Sequence, residues 1–289
     1  MDAPDLDLRT ERALVPPREP GVYDHDTVPM AEYLAWDAVS ASLVKDVLER
    51  GCEYADRARR IVREDTPATE RGTAVHSAIL EPHDFERRYA ALSVGCDLRS
   101  KPGREEKAAI VAAGRRPIPA ATWEACVRLR ERAWENPTLA ALLSNCEPEA
   151  SATWHTGYGD VRGKARADVL CRDAETILDL KTTEDASPFA FGRAAADFGY
   201  HLSSPWYTTG FTQAGVLVRY WTLAALEADP RVGHYSVRLY TLDPLIVSRA
   251  RDRLDAAVRS WAAAVADGRF RDVPTSYIPL PMPAWTFKE

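Results

Sequence analysis

The strongest constraint on the fold is a pair of segments that alternate apolar and polar residues around a short turn. The stretch reads "KARADVLC", then "RDAE", then "TILDLKTT", over residues 164–183. A period of two with bounding turn residues is typical of a β-hairpin. Asp168 and Asp179 are equidistant from the middle of the turn, so the hairpin makes them cross-strand neighbours.

The same hairpin brings a lysine to the two acids. Because side chains alternate along a strand, Asp179 and Lys181 share one face, and Leu178 and Leu180 occupy the other. Two carboxylates at close range repel unless a cation neutralises them, and such hard oxygen ligands suit Mg²⁺ or Mn²⁺. A lysine beside them can orient an attacking water or stabilise charge on a phosphate. A half-exposed Asp-x-Lys is also common as plain solvated surface, and the triplet alone leaves both interpretations open.

The periodicity of the remaining chain predicts helices on both sides of this hairpin. The stretch 97–116 is basic, contains Pro and Gly, and indicates a loop that leads into a helix. A further strand is predicted over 234–242, and the tail from 273 is irregular. Helices are predicted over 40–62, 69–82, 120–145 with a break at Pro137, 187–199, 204–226 and 244–268.

This order of elements predicts one α/β domain over residues 31–289, with a small mixed central sheet flanked by helices. Residues 1–30 are rich in Pro and acids and are expected to be extended on the surface or partly disordered. A chain of 289 residues with 46% hydrophobic content can bury a core of that size.

Composition narrows the class of protein. No apolar run approaches the roughly 20 residues of a membrane span, and the acidic N-terminus is unlike a signal peptide, so a soluble cytoplasmic protein without membrane contact is expected. The five cysteines are scattered without a CxxC pair, which favours free buried thiols over a disulfide framework or a cysteine metal site. A net charge of −6 argues against nonspecific coating of nucleic acid, although a local basic groove remains compatible with it.

Several motifs together resemble a known family. These are "RAD" and "ILDLKTT" on the two strands, "FGYHLSSPWYTTGF" after them, "GTAVHSAILEPHDFERRY" and "DLRSKPGREEKAA" upstream, and "EASATWHTGYGDVRGKARAD" before the first strand. The set resembles the PD-(D/E)XK nuclease superfamily, in the branch of the RecE-type exonuclease VIII of phages and prophages. The resemblance covers roughly residues 70–210 and implies a restriction-endonuclease-like core.

The resemblance also implies roles for single residues. His76, Asp168 and Asp179 would bind the divalent metal, the carbonyl of Leu180 would add a ligand, and Lys181 would be the catalytic lysine. By local pattern alone, His76 on an amphipathic helix is more often a core residue. Glu149, just before the first strand, could be an acid that supports the metal ligands without binding the metal itself.

The helix after the hairpin departs from the family pattern. That helix usually carries a Gln four residues before a Tyr; here Tyr207 is present and Ser203 stands at the Gln position. Ser is too short to reproduce the reach of Gln, so either activity is weakened or another group substitutes. Tyr207 could stack on an unpaired base, as could Tyr200 and Trp206, with core packing as the alternative.

Basic residues near the hairpin and in the 97–116 stretch are candidates for contacts to DNA phosphates. A solvated charge run is the alternative for each of them. The first set is Arg99, Lys101, Arg104 and Lys107; the second is Arg162, Lys164 and Arg166, of which Arg166 shares a strand face with Asp168.

The resemblance implies an exonuclease that uses Mg²⁺ or Mn²⁺ to hydrolyse one strand from the end of linear duplex DNA, in the 5′–3′ direction, for recombination or phage-type DNA metabolism. It further implies a homo-oligomer and a single-strand-annealing recombination protein as partner. Two alternatives stay open: a non-catalytic protein that binds DNA ends on the same fold, which Ser203 favours, and an endonuclease with the same metal chemistry.

Overall fold

A computed structural model describes residues 11–62 and 64–270. In this part of the chain the helices are α1 (Met30–Ala35), α2 (Ala41–Arg60), α3 (Pro67–Leu80), α4 (Pro82–Arg88), α5 (Lys101–Ala112), α6 (Ala120–Glu135), α7 (Pro137–Ser144), α8 (Pro188–Asp197), α9 (Tyr200–Gln213) and α10 (Pro244–Asp267). The strands of the same part are β1 (Gly21–Tyr23), β2 (Tyr89–Ala91), β3 (Arg116–Ile118), β4 (Glu147–His155), β5 (Arg162–Cys171), β6 (Thr176–Thr183), β7 (Tyr220–Asp229) and β8 (His234–Tyr240).

One sheet organises the structure. Its strands lie in the order β1-β4-β5-β6-β7-β8, and the short strands β2 and β3 pair separately. β6 and β7 run parallel, whereas the other neighbouring pairs of the large sheet are antiparallel. A parallel pair needs a crossover connection, which α8 and α9 supply. The predicted mixed central sheet is therefore confirmed.

The hairpin between β5 and β6 forms as predicted. Val169 pairs with Leu178 and Cys171 pairs with Thr176, so the turn covers residues 172–175. Pairing stops after Val169, although β5 and β6 both continue beyond that point. The two strands therefore part where the two predicted acids stand.

Both faces of the sheet are covered by apolar layers. On one face, Ile177 and Leu223 pack into a cluster with residues of α2, α9 and α10. On the other face, Leu178 and Leu180 pack with residues of α3, α4, α6 and α7. A strand that is buried on both faces reads as a continuous apolar run, which explains the composition of β6 and β7.

The predicted helix over 204–226 is wrong in its second half. α9 ends at Gln213, and the chain then turns through Gly215 at φ +98°. Residues 220–229 form the strand β7, which lies between β6 and β8. Burial on both faces removes the polar alternation by which a strand is recognised, so the run resembles a buried helix.

Prolines mark the helix boundaries where the sequence predicts them. α6 ends just before Pro137, and Pro137 is the first residue of α7. Pro82 likewise follows α3 and begins α4. Pro at the first helical position lacks only an amide hydrogen that no helical carbonyl would accept. In the basic stretch, the loop passes into α5 at Lys101.

The N-terminal segment joins the sheet. β1 pairs with β4 through Val22 and Ala152, and Tyr23 makes an edge contact with Trp36 at 6.3 Å between ring centroids. Residues 1–10 and the predicted irregular tail lie outside the described residues. The boundary at residue 30 between this segment and a domain remains a prediction.

The described residues contain no helix that is both long enough and apolar enough to cross a membrane. All five cysteines lie in the described residues and form no disulfide. Cys126 and Cys171 are buried, and burial raises the pKa of each thiol to about 12.

Two glycines form the slot that holds Trp154 at the centre of one apolar layer. A Cβ on Gly163 or on Gly210 would lie 2.3 Å from a ring carbon of Trp154. The indole also packs against Trp206, with 5.1 Å between ring centroids. Because Gly210 belongs to α9 and Trp154 to β4, this close approach sets how near α9 lies to the sheet.

Substitution at Gly210 tests this packing. Gly210→Ala should lower the free energy of unfolding by about 1–3 kcal/mol, because the methyl group overpacks the Trp154 slot. Gly192→Ala is the matched control: it lies within α8 with nothing within 4 Å of a Cβ. There the better helix former should raise the free energy of unfolding by about 0.5–1 kcal/mol. Chemical denaturation measures both, and equal effects of the two variants would contradict the close approach.

Candidate metal centre

Three side chains from three elements offer ligand atoms at one point. His76 comes from α3, Glu149 from β4 and Asp168 from β5, and one ligand atom of each lies within 4.8 Å of the others. Nδ1 of His76 is 3.8 Å from Oδ1 of Asp168. All three residues are partly exposed. A nitrogen and two carboxylate oxygens at this spacing can converge on one divalent ion.

Glu149 is held in this group by backbone geometry and by an arginine. Its φ is +52°, in the left-handed region that non-glycine residues rarely adopt. The neighbouring pairs Pro148–Val169 and Ala150–Ala167 put Glu149 opposite Asp168. Oε2 of Glu149 accepts a 2.8 Å hydrogen bond from Nε of Arg166. Burial and the charge of Asp168 raise the pKa of Glu149.

The carboxylate of Asp168 joins β5 to β6 where the strands part. Its Oδ2 accepts a 2.8 Å hydrogen bond from the amide of Leu180. The amide and the carbonyl of one strand residue point to the same side, so the Leu180 carbonyl also faces β5. The Leu180 side chain is fully buried on the other face of the sheet. The Leu180 carbonyl accepts a 3.4 Å hydrogen bond from Nζ of Lys181, and Oδ1 of Asp168 is turned toward His76.

Asp179 and Lys181 form a close ion pair next to this group. Nζ of Lys181 is 2.6 Å from Oδ2 of Asp179. The buried Oδ2 of Asp179 is thus partnered by the ammonium of Lys181. Burial raises the pKa of Asp179, and the charge of Asp168 raises it further. Burial alone would lower the pKa of Lys181, but the charges of Asp179 and Asp168 raise it above its usual value.

The structure thus divides the predicted ligand set. His76 and Asp168 come together as predicted, and Glu149 completes their group of three. Asp179 stands beside Lys181 and outside that group, although its charge acts on the same cluster. Sequence reasoning gave Glu149 only a supporting role. The available signal was its position in the register, since the residue opposite Asp168 on the preceding strand must lie beside it.

Tyr207 lies on α9 beside the acids. The side chain is half-buried against the apolar layer. Burial raises the pKa of Tyr207 well above its usual value, and the nearby Tyr33, Asp179 and Asp168 add to the effect. Trp206, in contrast, is buried and donates from Nε1 to the Lys164 carbonyl at 3.0 Å. Core packing is the role that the structure supports for Trp206.

The second set of predicted phosphate contacts points inward. Arg166 is only 8% exposed in its side chain, and besides Glu149 it donates to the Val28 carbonyl and to Ser151 Oγ, each at 2.8 Å. Nζ of Lys164 is buried and donates to three carbonyls at the end of α1, those of Tyr33, Leu34 and Trp36. Arg162 bonds Arg18 O, Thr153 and Trp154 O. These donors hold the N-terminal segment on the sheet, which differs from the predicted contact of Arg166 with DNA.

The first set lies on the surface. Arg99 precedes α5, and Lys101, Arg104 and Lys107 belong to its first two turns. All four side chains are exposed. Arg99 pairs with Asp97 at 3.0 Å, and Lys101 lies 3.8 Å from Glu105. Their exposure is compatible with the predicted phosphate contacts.

Comparison with solved structures reveals a related fold. The protein is similar to a candidate exonuclease from Eubacterium rectale, with 13% identity, coverage of 86% of this chain and 92% of the other, and a TM-score of 0.55. It is also similar to a phage-related exonuclease from Haemophilus somnus 129PT, with 10% identity, coverage of 80% and 96%, and a TM-score of 0.33. At such identities the first likeness concerns the fold alone. The second, with its low TM-score, supports no conclusion.

No curated protein matches the chain. A family model does match, over residues 40–260, and its description is a PDDEXK-like domain of unknown function (DUF3799). This range covers most of the 289 residues and includes all four elements that carry the candidate metal centre, α3, β4, β5 and β6. The chain therefore belongs to this family of PDDEXK-like domains.

Proposed function

We propose that the protein is a divalent-metal-dependent DNA exonuclease that hydrolyses phosphodiester bonds of one strand from the end of linear duplex DNA. The observation that carries the proposal is the convergence of His76, Glu149 and Asp168 within 4.8 Å, beside the pair of Asp179 and Lys181. Membership of a PDDEXK-like family and the likeness to a candidate exonuclease support it.

The donor set fits Mg²⁺ or Mn²⁺. Two carboxylates and a backbone carbonyl are hard oxygen ligands, and an imidazole nitrogen is also accepted by Mn²⁺. Asp179 adds a third carboxylate beside these residues, and its Oδ2 is paired with the ammonium of Lys181 at 2.6 Å. We therefore propose His76, Glu149, Asp168, Asp179 and the Leu180 carbonyl as the ligands. When bound, the ion would polarise the scissile phosphate and lower the pKa of a water molecule.

The chain's own residues then orient the reaction. The Leu180 amide fixes the Asp168 carboxylate, and Arg166 fixes the carboxylate of Glu149. Asp179 holds the Lys181 ammonium beside the ligands, where its charge can orient the attacking water or stabilise the developing charge on the phosphate. The basic residues at the start of α5 and just before it would hold more distant phosphates of the same DNA, through Arg99, Lys101, Arg104 and Lys107.

We further propose, on the family resemblance, that the protein forms a homo-oligomer and acts with a single-strand-annealing protein in recombination or phage-type DNA metabolism. Closed rings are a common way for identical chains to assemble around one axis. Sedimentation of the purified protein with and without linear DNA would measure the oligomeric state.

The reaction type can be measured directly on two DNA substrates. With Mg²⁺, end-labelled linear duplex should release mononucleotides from the labelled strand, whereas a covalently closed circle of the same sequence should stay intact, because an exonuclease needs an end. The label position, 5′ or 3′, gives the direction. Cleavage of the circle would instead identify an endonuclease, and retention of DNA without hydrolysis would identify an end-binding protein.

Single substitutions test the proposed roles. Asp168→Asn and Lys181→Met should each lower the rate of Mg²⁺-dependent hydrolysis by at least about 100-fold, since they remove a metal ligand and the neighbouring positive charge. Asp173→Asn is the matched control, because Asp173 is an exposed acid in the turn of the same hairpin. The control should retain full activity. Full activity in Asp168→Asn or Lys181→Met, with folding verified by circular dichroism, would exclude the proposed centre.

Metal binding can be detected without any reaction. Mn²⁺ at 100 times its dissociation constant should stabilise the wild-type protein by about 2.7 kcal/mol, which is a rise of several degrees in Tm. Asp168→Asn should lose most of this response, and Asp173→Asn should keep it. An equal rise in Tm in both variants would mean that the ion binds elsewhere.

A further inference from the structure

A second lysine stands near Lys181, and both ammonium groups lie close to the same aromatic ring. Nζ of Lys45, on α2, is 5.9 Å from the centre of the Tyr200 ring, and Nζ of Lys181 is 5.4 Å from the same centre. The two nitrogens are therefore separated by at most the sum of these two distances. Burial lowers the pKa of Lys45, and the charge of Lys181 lowers it further. The proposed hydrolysis uses only one of these two neighbouring cations.

Lys45 is partly exposed, and its ammonium is bound to the backbone. It donates a 2.9 Å hydrogen bond to the carbonyl of Phe198, which follows α8. Gly199 has φ +65°, and a Cβ there would lie 3.2 Å from Cε of Lys45, so glycine leaves room for the lysine chain. An ammonium has three N–H donors, and this bond uses one of them. The acids Asp46 and Glu49 of α2 also lie near Lys45.

An exposed aromatic ring lies next to this lysine. Phe198 is 63% exposed, and its ring stacks on Tyr200 with 5.9 Å between centroids and 21° between planes. Tyr200 packs in turn against Phe191 in the apolar layer. An exposed phenyl ring supported from behind, with an ammonium beside it, is the combination by which proteins bind unpaired nucleotides.

We propose that Lys45 and Phe198, which lie near Tyr200 and Lys181, bind a single strand of nucleic acid beside the candidate metal centre. Lys45 contacts a backbone phosphate next to the one that is cleaved, and Phe198 stacks on an unpaired base. An unpaired base is required because the bases of an intact duplex are already stacked on one another. This inference rests on the proposed function and adds that the DNA strand is unpaired where it reaches the site.

Salt dependence of binding isolates the contact of Lys45. Anisotropy of a labelled single-stranded oligonucleotide is measured between 50 and 200 mM NaCl, with EDTA present so that no hydrolysis interferes. Each phosphate contact on a single strand contributes about 0.7 to the slope of log Kd against log salt. Lys45→Met and Lys45→Gln should each lower the slope by about that amount, and Lys45→Arg should restore it. Gln retains an amide donor for the Phe198 carbonyl, which guards against loss of the fold.

The matched control is Arg132→Met, which removes one exposed positive charge on α6, where Arg132 pairs with Glu135. It should leave the slope unchanged. Equal slopes for wild type, Lys45→Met and Lys45→Gln would overturn the phosphate contact. A role of Lys45 in stability alone would change Tm without changing the slope.

The stacking contact has its own variant. Phe198→Leu keeps an apolar side chain but removes the ring, and it should raise the Kd for single strand by roughly five-fold or more, because stacking on one base accounts for at least that factor. The Kd for blunt duplex of the same length should stay the same. An equal loss for both forms, or no loss, would overturn the single-strand assignment.

The binding measurement separates this inference from the proposed function. If wild type binds single strand through Lys45 and Phe198 but digests no DNA in Mg²⁺, the nuclease proposal fails and the binding site stands. If wild type digests DNA while all variants bind like wild type, the nuclease proposal stands and this inference fails. Absence of any binding to single strand by wild type also overturns this inference.

Discussion

The hydrogen bond from the Leu180 amide to the Asp168 carboxylate is the contact on which the candidate metal centre depends. β5 and β6 pair only from Val169–Leu178 to the turn, and beyond this point a side chain takes the place of a backbone carbonyl. The carboxylate thereby satisfies the buried Leu180 amide, because a backbone N–H group that is shielded from water needs a hydrogen-bond partner. The same bond turns the other oxygen of Asp168 toward His76. One hydrogen bond therefore both replaces a backbone contact between the strands and orients a residue of the site.

Balance of charge explains the other contacts of the site. Three acids, Glu149, Asp168 and Asp179, lie close together, and burial without cations would be costly. Arg166 neutralises Glu149 from one side and Lys181 neutralises Asp179 from the other. Their surroundings differ: Arg166 donates to Glu149, to the Val28 carbonyl and to Ser151, whereas Lys181 is one of two ammonium groups around Tyr200. Arg166 braces the strands from inside, and the proposals give the contact with nucleic acid to the two lysines.

Several elements were predictable from local pattern alone, and the strand β7 was not. The hairpin, the helix boundaries at Pro82 and Pro137 and the long C-terminal helix follow from turn residues and periodicity, which act over a few residues. The strand β7 was read as the continuation of a helix, because a strand covered on both faces has no polar alternation to distinguish it. The neighbouring strands β6 and β8 decide the conformation of β7, and neither of them belongs to the local stretch of sequence from which β7 was read.

The sequence by itself determined which residue types can do chemistry and which hairpin carries Asp168 and Asp179, since local residues specify its turn. Only the tertiary structure decided that Glu149 joins His76 and Asp168, that Arg166 faces inward, and that Lys45 stands beside Lys181. The physical reason is the range of the contacts. A hairpin register depends on adjacent residues, whereas the meeting of α3, β4 and β5 at one point depends on how the whole apolar core packs.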